Sequence, residues 1–332
     1  MNFVGIVANP ASGKDIRRLV SHATVVNNNE KASIVRRVLL ALHASGVRRV
    51  EIMPDHFGIG VRALKGLRDR QEVVASASLI DMPITHTLAD SLRAAQYLCD
   101  AGAGCIVVLG GDGTCRVVAK GAGEVPLLPI STGTNNVVPT FVEGTIAGSA
   151  AAHVALRSQA EREDLCRRHK RLLVQVNGET IDQALVEVAL LTTRFTGARA
   201  VWETGTVRQV FVSRAQPVNI GLSAIVGMVR PVDLAHPGGA FVSTTEDGRK
   251  VMVPIAPGAV VPVGIGEIFE MEPGVSYPVE SLRPATLALD GEREITLNRG
   301  DEATVRLDLD GPWIVDVERA LQWAVASGAF IV

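Results

Sequence analysis

The 332-residue sequence is poor in aromatic residues, which make up 4% of it, and it has no surplus of either charge, with 33 Lys and Arg against 35 Asp and Glu. The first scarcity leaves few rings for stacking bases, and the second leaves no cationic face for a phosphate polymer, so nucleic acid is excluded as a partner. Cysteine is also scarce. Cys99, Cys105, Cys115 and Cys166 form no CxxC pair, which excludes a zinc module or a disulfide scaffold and fits reduced thiols of a core. His56, His86 and His236 stand in loops without HxH or HExxH spacing, so they predict no metal centre. There is no long hydrophobic run: the longest apolar region, Val251 to Ile268, is broken by Pro254, Pro257 and Pro262, and "MNFVGIVANP" opens directly on a strand without a basic leader. The expectation is a soluble, cytoplasmic protein with no membrane partner. Internal repeats and low-complexity tracts are lacking as well.

Hydrophobic residues at 47% supply two cores for a chain of this length. Strand and helix signals alternate through the first half. Strands are predicted over 3–8, 47–53, 73–80 and 105–109, and helices over 31–44 and 87–101. Such alternation gives a doubly wound α/β sheet, with ligands gathering beyond the carboxyl ends of its strands. "NPASGKD", "GGDGT" and "ISTGTNN" all fall there. From about Leu172 short β-like segments separated by Gly, Pro and Asp turns predict a β-rich part. We therefore expect an α/β domain over 1–148, a β-rich substrate-closing domain over 149–315, and a helix over 316–332 packing back on the first.

The stretch "CIVVLGGDGT", residues 105–114, carries the chemistry. Its apolar run suits a strand buried on both faces. Gly110, Gly111 and Gly113 let backbone N–H groups approach a ligand with no Cβ in the way, and Thr114 is placed to cap the helix that follows. An anion would meet a helix N-terminus there. A carboxylate at Asp112 makes little sense for phosphate alone, but it suits a site that also binds metal or accepts a hydroxyl proton, as phosphoryl transfer requires. A tight turn with a solvated capping Asp is the plainer alternative. Arg116, two residues past the predicted cap, is placed to reach a substrate phosphate in the crevice, whereas Arg17, Arg18 and Lys120 read as helix surface. Asp233 and His236, beside Pro237, form a candidate substrate-loop pair.

Two other patterns imitate nucleotide motifs. "GIVANPASGKD" lacks the glycine spacing of a Walker A loop, and Asp15 stands where its hydroxyl should be. "GIGVRA", residues 58–63, fits a relaxed dinucleotide fingerprint with Asp81 downstream, yet it follows the second strand rather than the first. It is the argument for a Rossmann dehydrogenase.

"NPASG" after the first strand, "GGDGT" after a buried strand, Gly133-Thr-Asn-Asn136 after a later one and Asp290-Gly-Glu292 in the β-rich half resemble, in that order, the NAD kinase and diacylglycerol kinase superfamily. "NPASGKDIRRL" and "GGDGTCRVVAKG" are most similar to its ATP-NAD kinase and acetoin-catabolism X branch. The resemblance implies an NAD kinase-like fold and an ATP- and Mg²⁺-dependent kinase acting on a hydroxyl of a small metabolite, with NAD kinase activity as an alternative. It implies Asp112 as catalytic carboxylate. Asn9, Ser12, Gly13, Gly110, Gly111, Gly113, Thr114, Gly133, Thr134 and Asn136 become nucleotide-binding residues, Glu187 a substrate contact, and Asp290 and Glu292 the metal ligands. Val186 stands where the NAD kinases place an Asn beside that Glu, and the tyrosine of their STAY element is missing, so NAD is expected to be a poor acceptor. A homo-oligomer is expected.

Overall fold

The computed structural model describes residues 3–14, 21–23, 26–192, 200–201, 203–280 and 284–331. Arg17 and Arg18 lie outside the described residues. The first part runs β1 (Val4–Ala8), α1 (Asn28–Ala44), β2 (Val50–Ile52), α2 (Ile59–Lys65), α3 (Gln71–Ala75), β3 (Ala77–Leu79), α4 (Leu88–Asp100), β4 (Cys105–Gly110), α5 (Asp112–Gly121) and β5 (Leu127–Ser131). It continues through α6 (Gly144–Ala155), α7 (Gln159–Leu165) and β6 (Cys166–Arg168). The second part holds β7 (Arg171–Val176), β8 (Glu179–Ala184), β9 (Glu187–Leu191), β10 (Val207–Val212), α8 (Ser223–Gly227), β11 (Gly239–Ala256) and β12 (Ala259–Met271). Then come β13 (Ser276–Pro278), β14 (Ala285–Leu289), β15 (Glu292–Leu297), β16 (Ala303–Asp308), β17 (Trp313–Val315) and α9 (Val317–Ala326).

Among the described residues the first sheet has the order β3-β2-β1-β4-β5-β17-β6. It is parallel except where β6 meets β17. The all-apolar run of β4 is buried on both faces because helices cover both. On one face α1 and α6 close over Val4, Ile6, Val107 and Leu109; on the other α4 and α5 close over Val7, Ile106 and Val108. β1 pairs β2 on one side and β4 on the other, so the winding reverses at β1 and opens a crevice at the carboxyl ends of β1 and β4.

The second part is antiparallel. A sheet of order β12-β11-β10-β9-β14-β15 packs against one of order β13-β16-β7-β8 over Leu172, Val174, Val188, Phe211, Leu287 and Val305. Leu185 and Val186, between β8 and β9, leave that core and bury in the α4–α5 face of the first sheet. This plug seats the second part over the crevice.

Several expectations are corrected. The run predicted as a strand over 73–80 begins inside α3, and only Ala77–Leu79 is extended. Thr114 does not cap α5; Gly111 does, and the helix starts at Asp112. The division expected at 148/149 falls inside α6, and β6 and β17 complete the first sheet. Among the described residues no helix is long and apolar enough to cross a membrane.

Candidate functional site

Ala8 and Leu109 are in register in neighbouring parallel strands, so the chain leaves β1 and β4 at the same edge. Asn9 is the first residue past β1. Its Nδ2 donates to Thr114 Oγ1 at 2.9 Å while its Oδ1 accepts from Ala11 N at 2.8 Å, an Asx turn that ties the "NPASG" loop to α5. Ser12 Oγ lies 2.8 Å from Thr132 Oγ1, which joins the same loop to the segment after β5. Gly13 is required here: its φ is +71°, and a Cβ would stand 2.6 Å from Thr132 O. Beneath the loop, Lys31 of α1 is 0% exposed and donates from Nζ to Asn9 O and Ser12 O, each at 2.8 Å. Burial, with Lys14 adding to it and Asp55 opposing, lowers that ammonium to about 7.

Asp112 opens α5. Its carboxylate, 7% exposed, accepts from Val137 N at 3.1 and 3.0 Å and from Val138 N at 2.8 Å. The "TGTNN" loop is thus folded against the start of the helix. Contact there is so close that a Cβ on Gly133 would lie 2.9 Å from Gly111 Cα and 2.5 Å from Asn136 Oδ1. The two glycines let the loops meet backbone to backbone, a junction we call the glycine cradle. Asn136 Nδ2 donates to Ser131 Oγ at 2.6 Å, and its buried Oδ1 has no partner among the described residues. Thr134 is half-buried in the same loop. Asn9, Ser12 and Gly13 on the "NPASG" loop, Gly133, Thr134 and Asn136 on the "TGTNN" loop, and Gly110, Gly111, Gly113 and Thr114 at the β4–α5 junction therefore come together around Asp112.

The β-rich part meets this cradle through Glu292, whose Oε1 is 3.2 Å from where a Cβ on Gly113 would be. Asp290 is different. It sits in the β14–β15 turn at φ +49° with Gly291 at +77°, so "LDGERE" is a hairpin turn. The turn points inward. Buried Asp290 accepts from Leu185 N at 3.1 Å on both oxygens, from Val186 N at 2.8 Å and from Glu187 N at 3.3 Å. Burial pushes its carboxyl up, while Arg116 and the three amides pull it down. That corrects its expected role: carboxylate oxygens clasping three amides next to a guanidinium are not an open metal site. Among the described residues no three His, Cys, Asp or Glu side chains form a ready cation cluster. Glu187 is buried at the start of β9 beside this clasp.

Arg116 is corrected too. It is 1% exposed, with Nη1 3.1 Å from Asp182 Oδ2, Nη2 2.7 Å from Glu294 Oε1 and Nε 3.7 Å from Asp290 Oδ2. Burial alone would weaken its hold on the proton, yet Asp290, Asp182, Glu294 and Glu292 more than reverse this and raise it. With three carboxylates in reach it fastens the two parts together and has no donor face for a substrate phosphate. Lys120 reaches the same Asp182 at 2.8 Å. Asp233 accepts from His236 N at 2.8 Å, a local turn rather than a pair facing the cradle. "GIGVRA" forms α2, where Gly60 allows contact with Ile52 and Leu79; its glycines serve helix–strand packing.

Sequence reasoning missed Lys31, Thr132 and the Val137 and Val138 amides. Lys31 had a readable signal: it shares the helical spacing of Val35, Val38 and Leu42, and so stands on the apolar face.

Residues 4–157 match the ATP-NAD kinase N-terminal domain family and residues 170–310 the acetoin catabolism protein X C-terminal domain family. Acetoin catabolism protein X of Cupriavidus necator is 38% identical over 331 residues, covering 97% of this chain and 92% of the relative. Among solved structures, a chain from Bacillus anthracis str. Sterne assigned as a diacylglycerol kinase aligns at a TM-score of 0.48 with 13% identity, over 95% of this chain and 98% of the other.

Proposed function

The chain belongs to the acetoin catabolism protein X family, and from that premise we propose that it is an ATP-dependent kinase moving a phosphoryl group onto a hydroxyl of a small metabolite. The observation that carries this reading is the cradle itself: Gly111 and Gly133 bring two loops to backbone contact beside the carboxylate at the start of α5. The match of residues 4–157 to the ATP-NAD kinase N-terminal domain supports it.

In this reading the glycine-loop amides and the N-terminus of α5 hold the phosphates of ATP. Asn9, by fixing Thr114, and Lys31, by fixing Asn9 and Ser12, keep those donors in place before the nucleotide arrives. Asp112, its orientation set by the Val137 and Val138 amides, orients the acceptor hydroxyl and takes its proton as the new O–P bond forms. The residues present fit a Mg²⁺ that comes with the triphosphate rather than one held by a protein cage, with Glu292 as a carboxylate and Asn136 Oδ1, unpartnered among the described residues, as a neutral oxygen. When bound, that ion neutralises charge on the transferred group.

ADP release from Mg²⁺ and ATP with a panel of hydroxyl compounds tests the reading. Turnover with at least one small acceptor is expected, and NAD is expected to serve poorly because Val186, buried in the core, stands where the NAD kinases place an amide side chain. Efficient NADP formation would make the protein an NAD kinase, and no ADP release with any acceptor would refute the kinase reading.

A further inference from the structure

A cavity of about 490 Å³ lies between the far edge of the first sheet and the segment after β10, and Val138, Arg214, Leu234, Ile314 and Val317 are among the residues that line it. That is the size of a small-metabolite site. The "NPASG" and "GGDGT" loops contribute no residue to its wall, so it is separate from the glycine cradle. Much of the wall is apolar. Leu234, Ile314 and Val317 are only half-buried, so each keeps open surface against which a hydrocarbon body can be removed from water.

One cation in this wall is unmatched. Arg214 is half-buried, and its sole hydrogen bond among the described residues is a long one, Nη1 to Val137 O at 3.5 Å. Its Nε is enclosed, whereas Nη2 is neither enclosed nor bonded among those residues, so Nη2 is the end of the guanidinium open to the cavity. The other arginine of the wall already has its carboxylate: Arg167 holds Asp316 through Nε and Nη2, both at 2.7 Å. A partly desolvated guanidinium with free N–H groups is a binding group for a carboxylate or a phosphate. Charge decides between them. Burial weakens the proton affinity of Arg214, and Asp112 and Asp233 stand close enough to oppose that effect. A phosphate dianion would bring two further negative charges to one cation that two carboxylates already act on, while a carboxylate brings one.

We propose that this cavity binds a small aliphatic carboxylate, its anionic head on Arg214 Nη2 and its hydrocarbon body against Leu234, Ile314 and Val317. A neutral alcohol of the same length would fill the apolar part and leave the guanidinium unmatched, and a bare anion would do the reverse. The proposal concerns binding, and it stands whether or not the chain transfers phosphate.

Calorimetric titration of the full chain tests it, using butyrate, acetate, 1-butanol and inorganic phosphate as probes, each with and without saturating Mg²⁺ and ATP. Butyrate is expected to bind at least about fivefold more tightly than acetate, because each buried methylene adds up to about fourfold. It is expected to exceed 1-butanol by at least about tenfold, the worth of a charge-assisted contact, and to bind more tightly than phosphate. Arg214→Met should weaken butyrate by at least about tenfold and leave 1-butanol unchanged; if that variant does not fold, the order of the four probes on the wild-type chain decides the point. Failure of butyrate to bind, binding no tighter than that of acetate, 1-butanol or phosphate, equal binding by Arg214→Met, or displacement by ATP would overturn the proposal, the last because it would put the carboxylate in the glycine cradle.

Discussion

Arg116 Nη2 stands 2.7 Å from Glu294 Oε1, joining the helix that begins at Asp112 to strand β15 of the other half of the molecule. Its Nε approaches Asp290, which clasps the amides of Leu185, Val186 and Glu187. The contact makes α5 the common support of the glycine cradle and of the second part. Replacing Arg116 by Met leaves Asp290 buried without its cation, and breaking such a pair costs about 3–5 kcal/mol. We expect Arg116→Met to lower the urea midpoint accordingly. If Arg116 bound substrate instead, the variant would raise KM for the acceptor and leave the midpoint unchanged.

Asp112 is held by two amides, and Asn in its place can keep one acceptor oxygen toward them. Asp112→Asn should therefore fold and bind ATP, while turnover falls by about a hundredfold or more, as expected for loss of a general base. Calorimetry for ATP and ADP release for turnover separate the two. Near-normal turnover would remove Asp112 from the chemistry.

The residues that meet at the cradle were legible because glycine marks where a neighbouring chain comes too close for a Cβ. Gly110, Gly111, Gly113 and Gly133 follow apolar strands, and a parallel sheet puts such turns at one edge. Asp290 and Arg116 were legible as charged residues near the site but not in their roles. A carboxylate that binds three amides from a segment about a hundred residues away has the same local sequence as one that binds metal. The end of α3 reads as strand because "VVASASLI" opens on two β-branched residues, and a single helical turn is too short for periodicity to separate from a strand. Lys31 enters the sequence reading only as the first residue of a predicted helix, although its position in the helical repeat points to the core.

The cradle depends on the absence of side-chain atoms at two points. Gly133→Ala would set a Cβ 2.9 Å from Gly111 Cα and 2.5 Å from Asn136 Oδ1, so a loop must shift. Overpacking of this kind costs about 1–3 kcal/mol. We expect weaker ATP binding with the far-off fold intact, read by calorimetry beside circular dichroism. Gly205→Ala, where a Cβ would meet nothing within 4 Å, is the control. Equal ATP affinity in both variants would show that nucleotide does not occupy the cradle.

Lys31 gives the site a dependence on pH whose sign follows from its burial. The folded chain holds this ammonium at about 7, below the ordinary 10.5 of a lysine in the unfolded chain. Between those two values the unfolded state binds more protons, so this residue's contribution to stability rises with pH across that window. The slope is at most about 1.4 kcal/mol per pH unit. Lys31→Met removes the titrating group and the two bonds to Asn9 O and Ser12 O. Urea midpoints of the wild-type chain measured from neutral pH to about pH 9 should therefore climb relative to those of Lys31→Met. The variant should also bind ATP more weakly throughout, because the carbonyls that fix the "NPASG" loop have lost their donor. Parallel stability curves would mean that Lys31 keeps an ordinary lysine pKa, with its Nζ reaching water instead of the loop carbonyls.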